Sequence, residues 1–355
     1  MPNTIIIGSG SYLPERVIER NHFSDSVFYD DNFVKIDKPN DEIIQKFVEI
    51  TEIENRRYVD DDLVNSDIGA KAAQIALDDA GIDKESLDYI ISATNFGDVD
   101  LHGQQSFMPS LSAIIKNKLG IKNPKCINYD MIFGCPGWVE GMVLADTLIK
   151  SGKAKNILVV GSETLSRVTD PYDRNKMIFA DGAGAVVVTA TEEQNVGIIA
   201  HNTLCFNGDE LAYLENSHSL NPEADQTKKY IRMRGRKIYE FALKYVPDAM
   251  KQTIDSAGLT LDDIDKILLH QANAKMDHAM ISRLFKLYGK SSYEHTVSPM
   301  TIQEFGNSSV ATVPTMYDLI KKGKMEGHSF KDNSYILFAS VGAGMNINAI
   351  VYKFP

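Results

Sequence analysis

Residues 76–95 read ALDDAGIDKESLDYIISATN and residues 253–273 read TIDSAGLTLDDIDKILLHQAN. Shifted by 177 positions, Asp78, Ala80, Gly81, Asp88 and Ile90 match Asp255, Ala257, Gly258, Asp265 and Ile267. Each copy has the grammar of a helix end, a glycine stop, a short acidic loop and a buried strand. A second pair follows in the same order, with a one-residue gap. Gly134-Cys135 opens a helical stretch that reaches Asp146 and stops near Gly152-Lys153; Gly306-Asn307 opens another that reaches Asp318 and stops near Gly323-Lys324. Apolar strands follow both, at Asn156-Ile-Leu-Val-Val and Tyr335-Ile-Leu-Phe. The shift is about half of the 355 residues, far longer than the roughly 20–50-residue period of a solenoid. Strands alternating with helices make α/β layers. The expectation is a duplicated α/β domain, with halves at 1–190 and 191–355. Chance matches of common helix–Gly–strand grammar compete with this reading, but two pairs in one order argue against chance.

The remaining bulk properties mostly exclude. Hydrophobic residues make up 43% and charged residues 24%, enough apolar material for an extensive globular core. A net charge of −11 repels nucleic acid and anionic membrane as partners of the surface as a whole. Three scattered cysteines, Cys126, Cys135 and Cys205, make neither a disulfide framework nor a zinc site, and no His/Cys spacing suits a metal. They fit reduced thiols in a cytoplasm. Met1-Pro-Asn-Thr-Ile-Ile-Ile-Gly has no signal-peptide character, and no run reaches the roughly 18 apolar residues of a membrane span. Ile157-Leu-Val-Val and Ala185-Val-Val-Val read as strands buried on both faces. Residues 24–42 and 206–229 read as irregular surface loops or caps.

The duplication gives Cys135 a counterpart, Asn307, at the corresponding helix start. About a pseudo-two-fold axis both helix N-termini point into one central site. There the dipole and free N–H groups stabilise a thiolate and hold an oxyanion. A lone cysteine is more often a small core residue, but Gly134 before it and Pro136-Gly137 after it favour a tight strand-to-helix turn. His270 ends the run Ile267-Leu-Leu and gives way to Gln271-Ala272-Asn273, an abrupt polar change at a strand end, where α/β proteins collect ligands. Asn307 is no base, but its amide N–H groups donate to a developing enolate, and neutral His270 can donate likewise. Two such donors around one thioester oxygen suit decarboxylation. A hydrolase instead needs histidine paired with the nucleophile and with an orienting partner. Two glycine clusters are set aside: Gly8-Ser-Gly10 lacks the third glycine of a dinucleotide fingerprint, and Asp181-Gly-Ala-Gly184 reads as a tight turn before a strand.

At these residues the sequence resembles the β-ketoacyl-acyl-carrier-protein synthase III family of the thiolase superfamily, over essentially the whole chain. The resemblance runs from Ile7-Gly-Ser-Gly-Ser-Tyr-Leu-Pro-Glu-Arg and Asn55-Arg-Arg to Gly134-Cys135-Pro-Gly and Val159-Val-Gly-Ser-Glu. It continues with Asp170-Pro-Tyr-Asp-Arg174, Asp181-Gly-Ala-Gly-Ala, His270-Gln-Ala-Asn273 and Gly306-Asn307-Ser-Ser. It implies a five-layered αβαβα thiolase fold, a homodimer and no cofactor beyond phosphopantetheine thioester substrates. It implies that Cys135 is acylated from acyl-CoA or an acyl carrier protein. His270 and Asn307 then decarboxylate a malonyl thioester on the carrier. The oxyanion hole falls on the backbone N–H groups of Cys135 and of Ala343, within Val341-Gly-Ala-Gly344. Ala272 and Asn273 fall on the substrate side, Lys275 on a carrier-docking position and Arg174 on a cofactor-side arginine.

The chain departs from the family in three places. Acetyl-CoA-primed members stack adenine between a Trp and an Arg; here the one tryptophan is Trp138, and Ile50 stands at the Arg position. Arg236 replaces a pantetheine-contacting Asn. The loop from Asn95 to Pro109, which in the family shapes the acyl pocket at the dimer interface, is longer. These departures favour a carrier-bound or unusual acyl donor. The basic run Lys228-Lys-Tyr-Ile-Arg-Met-Arg-Gly-Arg-Lys237 has two open readings: a solvated helix start, or a dock for an acidic carrier and its phosphate. A different chemistry on the same fold, acyl transfer to oxygen or nitrogen or the joining of two β-keto chains, is the alternative. A non-catalytic partner subunit is argued against by retention of all three residues.

Overall fold

The structure is a computed structural model that describes residues 1–355. Its two main sheets repeat one topology. In the first, the strand order is Asn3–Tyr12, Asp181–Thr191, Asn156–Thr164, Tyr89–Ala93 and Ile127–Met131. The successive pairings are antiparallel, antiparallel, parallel and parallel. In the second, the order is Gly197–Cys205, Asn346–Lys353, Tyr335–Gly342 and Ile264–Leu269, paired antiparallel, antiparallel and parallel. The second sheet is the first without its last strand.

Side-chain alternation turns these sheets into layers. Ile157 and Val159 face inward with Ile336 and Phe338, against the helices Gly137–Lys150 and Thr312–Lys321 sandwiched between the sheets. Leu158 and Val160 face outward, under the helices Asn65–Ala80 and Leu111–Lys118. Leu337 and Ala339 face outward under Gly235–Ser256 and Ala274–Leu287. The result is the five-layered αβαβα arrangement. The two central helices carry matching buried carboxylates. Asp146 takes Thr4 Oγ1 at 2.7 Å and Lys150 at 2.7 Å. Asp318 takes Ser9 Oγ at 2.8 Å and Lys322 at 2.6 Å. Each is thus compensated by a hydroxyl and an i+4 lysine, as burial of a charge requires.

Four local readings change. Asp181-Gly-Ala-Gly184 is not a turn but the start of the Asp181–Thr191 strand. A Cβ on Gly184 would lie 2.7 Å from the backbone N of Thr315, so glycine there admits a central helix against the sheet. Asn307 does not open a helix: a 3-10 turn, Ser309–Ala311, stands between it and Thr312–Lys321. Within 206–229, Leu214–Ser217 pairs with Tyr230–Met233 as a hairpin. That pairing also takes Tyr230–Met233 of the basic run into a strand, so the helix begins only at Gly235.

Candidate active site

Cys135, His270 and Ala343 each follow the C-terminal end of a strand. After Ile127–Met131, Gly134 at φ 70° turns the chain into the Gly137–Lys150 helix, which Pro136 caps. Cys135 sits one residue before that cap. A Cβ on Gly134 would lie 2.6 Å from the Ala343 backbone N, and one on Gly342 would lie 2.4 Å from the Cys135 N. The two glycines therefore let the loops interlock and bring the Cys135 and Ala343 backbones together. Asn346 clamps them, with Nδ2 donating to the Ala343 carbonyl at 3.0 Å and to the Phe133 carbonyl at 3.4 Å.

Ser309 joins the three expected catalytic side chains. Its backbone N–H donates to Asn307 Oδ1 at 2.8 Å. Its carbonyl accepts from Thr312 Oγ1 at 3.0 Å, and Thr312 Oγ1 lies 2.7 Å from His270 Nδ1. Its hydroxyl reaches the Cys135 thiol and accepts from Asn95 Nδ2 at 3.2 Å. Ser309 holds φ 52°, in the left-handed region that non-glycine residues rarely adopt. Such strain persists where surrounding bonds over-determine it, as the Asn307 carboxamide does here. Neither Ser309, Thr312 nor Asn95 was singled out from sequence; Gly306-Asn307-Ser-Ser contained one of them without marking its part.

The electrostatics reverse one expectation. Burial pushes the Cys135 thiol up to about 11, against the lowering pull of the Ser309 hydroxyl. This direction opposes the lowering expected at a helix N-terminus. His270 is 1% exposed, and burial pushes it down to about 4 against the pull of the Ser309 carbonyl, so the ring is neutral at pH 7. Behind Asn95, buried Glu163 accepts the Asn95 backbone N–H at 2.6 Å; burial pushes its carboxyl up to about 8.

Two cavities meet this cluster. The larger, about 870 Å³, is lined by Asn307, Ala272, Asn273, Arg174 and Arg236, with Ile50 beside them. Lys275 is exposed and outside that lining. The Arg236 side chain is 91% exposed and pairs with Glu240 at 2.8 Å. The smaller cavity, about 300 Å³, holds Cys135, Ser309 and Ala343, and its apolar wall includes Phe96, Leu214 and Ile231. The hairpin hidden within the polar segment thus walls the nucleophile's pocket.

The chain is similar to known proteins along its length. Residues 129–205 match the family model described as 3-oxoacyl-[acyl-carrier-protein (ACP)] synthase III, and residues 254–354 match its C-terminal model. A beta-ketoacyl-[acyl-carrier-protein] synthase III of Clostridium acetobutylicum is 32% identical over 100% of this chain and 99% of its own. The Staphylococcus aureus protein of the same name is 32% identical over 99% of both chains. The crystal structure of the Aquifex aeolicus 3-oxoacyl-[acyl-carrier-protein] synthase III superposes with a TM-score of 0.79 at 29% identity, covering 99% of this chain and 100% of that one. The priming beta-ketosynthase from the R1128 polyketide biosynthetic pathway superposes with a TM-score of 0.81 at 26% identity, covering 99% and 96%.

Proposed function

The chain belongs to the 3-oxoacyl-[acyl-carrier-protein] synthase III family, and from that membership we propose a two-step condensation at this site. An acyl group passes from a thioester to the Cys135 sulfur. It is then joined to the carbanion left when a malonyl-type thioester on an acyl carrier protein loses CO₂. The observation that carries the reading is the convergence of Cys135, His270 and Asn307 on Ser309. The smaller cavity receives the acyl chain, and the larger receives the pantetheine arm. The tetrahedral oxyanion is met by the Cys135 and Ala343 N–H groups. Asn307 spends its Oδ1 on Ser309, so Nδ2 is free to donate to the enolate oxygen, with His270 beside it. Full-length similarity to condensing enzymes favours this over acyl transfer to oxygen or nitrogen.

The donor is best read as carrier-bound. Trp138 is buried in the core with Nε1 on the Val159 carbonyl, so no tryptophan serves the cavity mouth. In the lining of the larger cavity Lys38, Lys46, Arg174 and Arg236 outnumber Asp30 and Glu42, in a chain whose net charge is −11. That local reversal of sign suits a phosphopantetheine phosphate and an acidic carrier. A homodimer is supported by the edge strand Ile127–Met131, by exposed Ile132 that follows it, and by the apolar side chains of Leu101 and Met108 that the lengthened loop exposes, Met108 to 90%. No helix is long and apolar enough to cross a membrane; a cytoplasmic location fits the supply of carrier thioesters.

Intact-protein mass spectrometry with acyl-CoA and acyl-carrier thioesters tests the first step, and CO₂ release from malonyl-carrier tests the second. Acylation at Cys135 and acyl-dependent condensation are expected. Acyl transfer to an alcohol or amine without CO₂ release would overturn the reading.

A further inference from the structure

We propose that Asn216 makes the acyl pocket selective for a chain that carries a hydroxyl near its thioester end. The inference rests on the assignment of the smaller cavity to the acyl chain and names the class of acyl group that it takes.

The hairpin fixes where Asn216 points. Leu214 pairs with Met233, Glu215 with Arg232 and Asn216 with Ile231. Residues directly opposite in an antiparallel pair share a face, and successive residues alternate. Leu214, Asn216, Ile231 and Met233 therefore lie on one face. Ile231 is buried in a hydrophobic cluster with Leu214 and Met233 packed against it, so this is the inward face. Leu214, Asn216 and Ile231 line the cavity that holds Cys135. Asn216 is the one polar side chain on that face, and its carboxamide makes no hydrogen bond. Glu215 also touches the cavity, but alternation turns its carboxylate to the other face, and it lies 4.0 Å from Arg234.

A second free group lines the same cavity. Asn95 donates Nδ2 to the Ser309 hydroxyl at 3.2 Å, and its Oδ1 accepts nothing. Ser309 and Cys135 line this cavity too, so Asn95 belongs to its thioester end. The pocket thus offers a donor in Asn216 Nδ2 and an acceptor in Asn95 Oδ1. A hydroxyl can accept from the first and donate to the second, whereas a keto oxygen can only accept. No lysine, arginine or histidine lines the cavity, so a carboxylate on the chain would find no cation there. Glu215 is turned away, so an ammonium would find no anion. An unsubstituted alkyl chain is also a poor match. Asn216 is exposed, and such a chain would take its carboxamide out of water without replacing the lost bonds. A site with free polar groups rejects the analogue that cannot pair with them. Asn216 is therefore a specificity-determining residue of the acyl pocket.

The test is the rate of Cys135 acylation, followed by intact-protein mass spectrometry, with the pantetheine thioesters of hexanoic acid, 3-oxohexanoic acid and both enantiomers of 3-hydroxyhexanoic acid. One hydroxy enantiomer is expected to load about tenfold faster than hexanoyl, and faster than 3-oxohexanoyl. Asn216→Leu, which matches the apolar residues around it, is expected to remove that preference. Each ratio is taken within one protein, so a loss of folded enzyme cancels. Hexanoyl or 3-oxohexanoyl loading as fast as both hydroxy enantiomers overturns the proposal, as does a preference that Asn216→Leu leaves unchanged. The wild-type ratio decides even if Asn216→Leu fails to fold. Calorimetric binding of the unreactive pantetheine amides of the same acids reads the preference without acylation. A protein that no thioester acylates would defeat the proposed condensation, while amide binding would still decide which chain the pocket takes.

Discussion

The Asn307 carboxamide oxygen accepts the Ser309 backbone N–H at 2.8 Å. An amide has one oxygen and one NH₂ group, so this bond decides which end meets the substrate. It also pins Ser309 at its positive φ of 52°. One side chain therefore serves the loop with its oxygen and the reaction with its nitrogen.

Replacing Asn307 with Asp separates these duties. Aspartate keeps the oxygen for Ser309 and loses both donors. Loss of one preorganised donor to a developing oxyanion costs about 10²–10³ in rate. CO₂ release from malonyl-carrier is expected to fall by about that factor, while Cys135 acylation, followed by mass, changes severalfold at most. Equal losses in both steps would count against the donor role.

The Cys135 thiol, pushed up to about 11 by burial, sets a second expectation. Only the thiolate is alkylated, so the rate of iodoacetamide labelling at Cys135 should climb about tenfold per pH unit from 7 towards 10. An unperturbed thiol levels off nearer 8.5. Peptide mapping separates Cys135 from exposed Cys205. A plateau at or below pH 7 would mean that the helix N-terminus outweighs burial, as the sequence alone suggested.

That reversal marks where sequence reasoning stops. The repeat was legible because helix end, Gly81 or Gly258 and the following strand form a local pattern, and the two sheets repeat their pairing order accordingly. Cys135 was legible because Gly134 and Pro136 mark a turn. Thiol burial was not, since it depends on walls from Phe96, Leu214 and Ile231, remote in sequence. Leu214 lay in a polar stretch whose strand forms only by pairing with Tyr230–Met233. Ser309 and Thr312 looked like filler in a small-residue run. Their parts come from a left-handed backbone and from His270, 42 positions away from Thr312.

Gly134→Ala should be far worse than Gly152→Ala, although the two glycines share nearly the same φ, 70° and 71°. Alanine at either position is strained by about 1 kcal/mol or more. At Gly152 the added Cβ meets nothing within 4 Å; at Gly134 it lies 2.6 Å from the Ala343 N and O. Gly152→Ala is expected to lower stability modestly in urea unfolding and leave acylation intact. Gly134→Ala should lose acylation because the Cys135 and Ala343 loops are forced apart. Similar behaviour of the two variants would mean that the interlock is unimportant.

Glu163 gives the protein a pH dependence with a definite sign. Its folded carboxyl is pushed up from the ordinary 4.5 to about 8, chiefly by burial. The folded state thus holds the proton more tightly than the unfolded chain does. Its contribution to stability is fully present below pH 4.5, shrinks as pH rises, and is gone above about 8. Several pH units at about 1.4 kcal/mol each bring this to a few kcal/mol. Glutamine keeps the oxygen that accepts the Asn95 N–H at 2.6 Å and removes the titration. Glu163→Gln is therefore expected to match wild type near pH 4.5 and to melt several degrees higher at pH 8.5, with a flatter profile between. Thermal unfolding across that range measures it. A variant that loses stability equally at every pH would show that Glu163 is needed as a packed shape, and that its proton is not what the buried site controls.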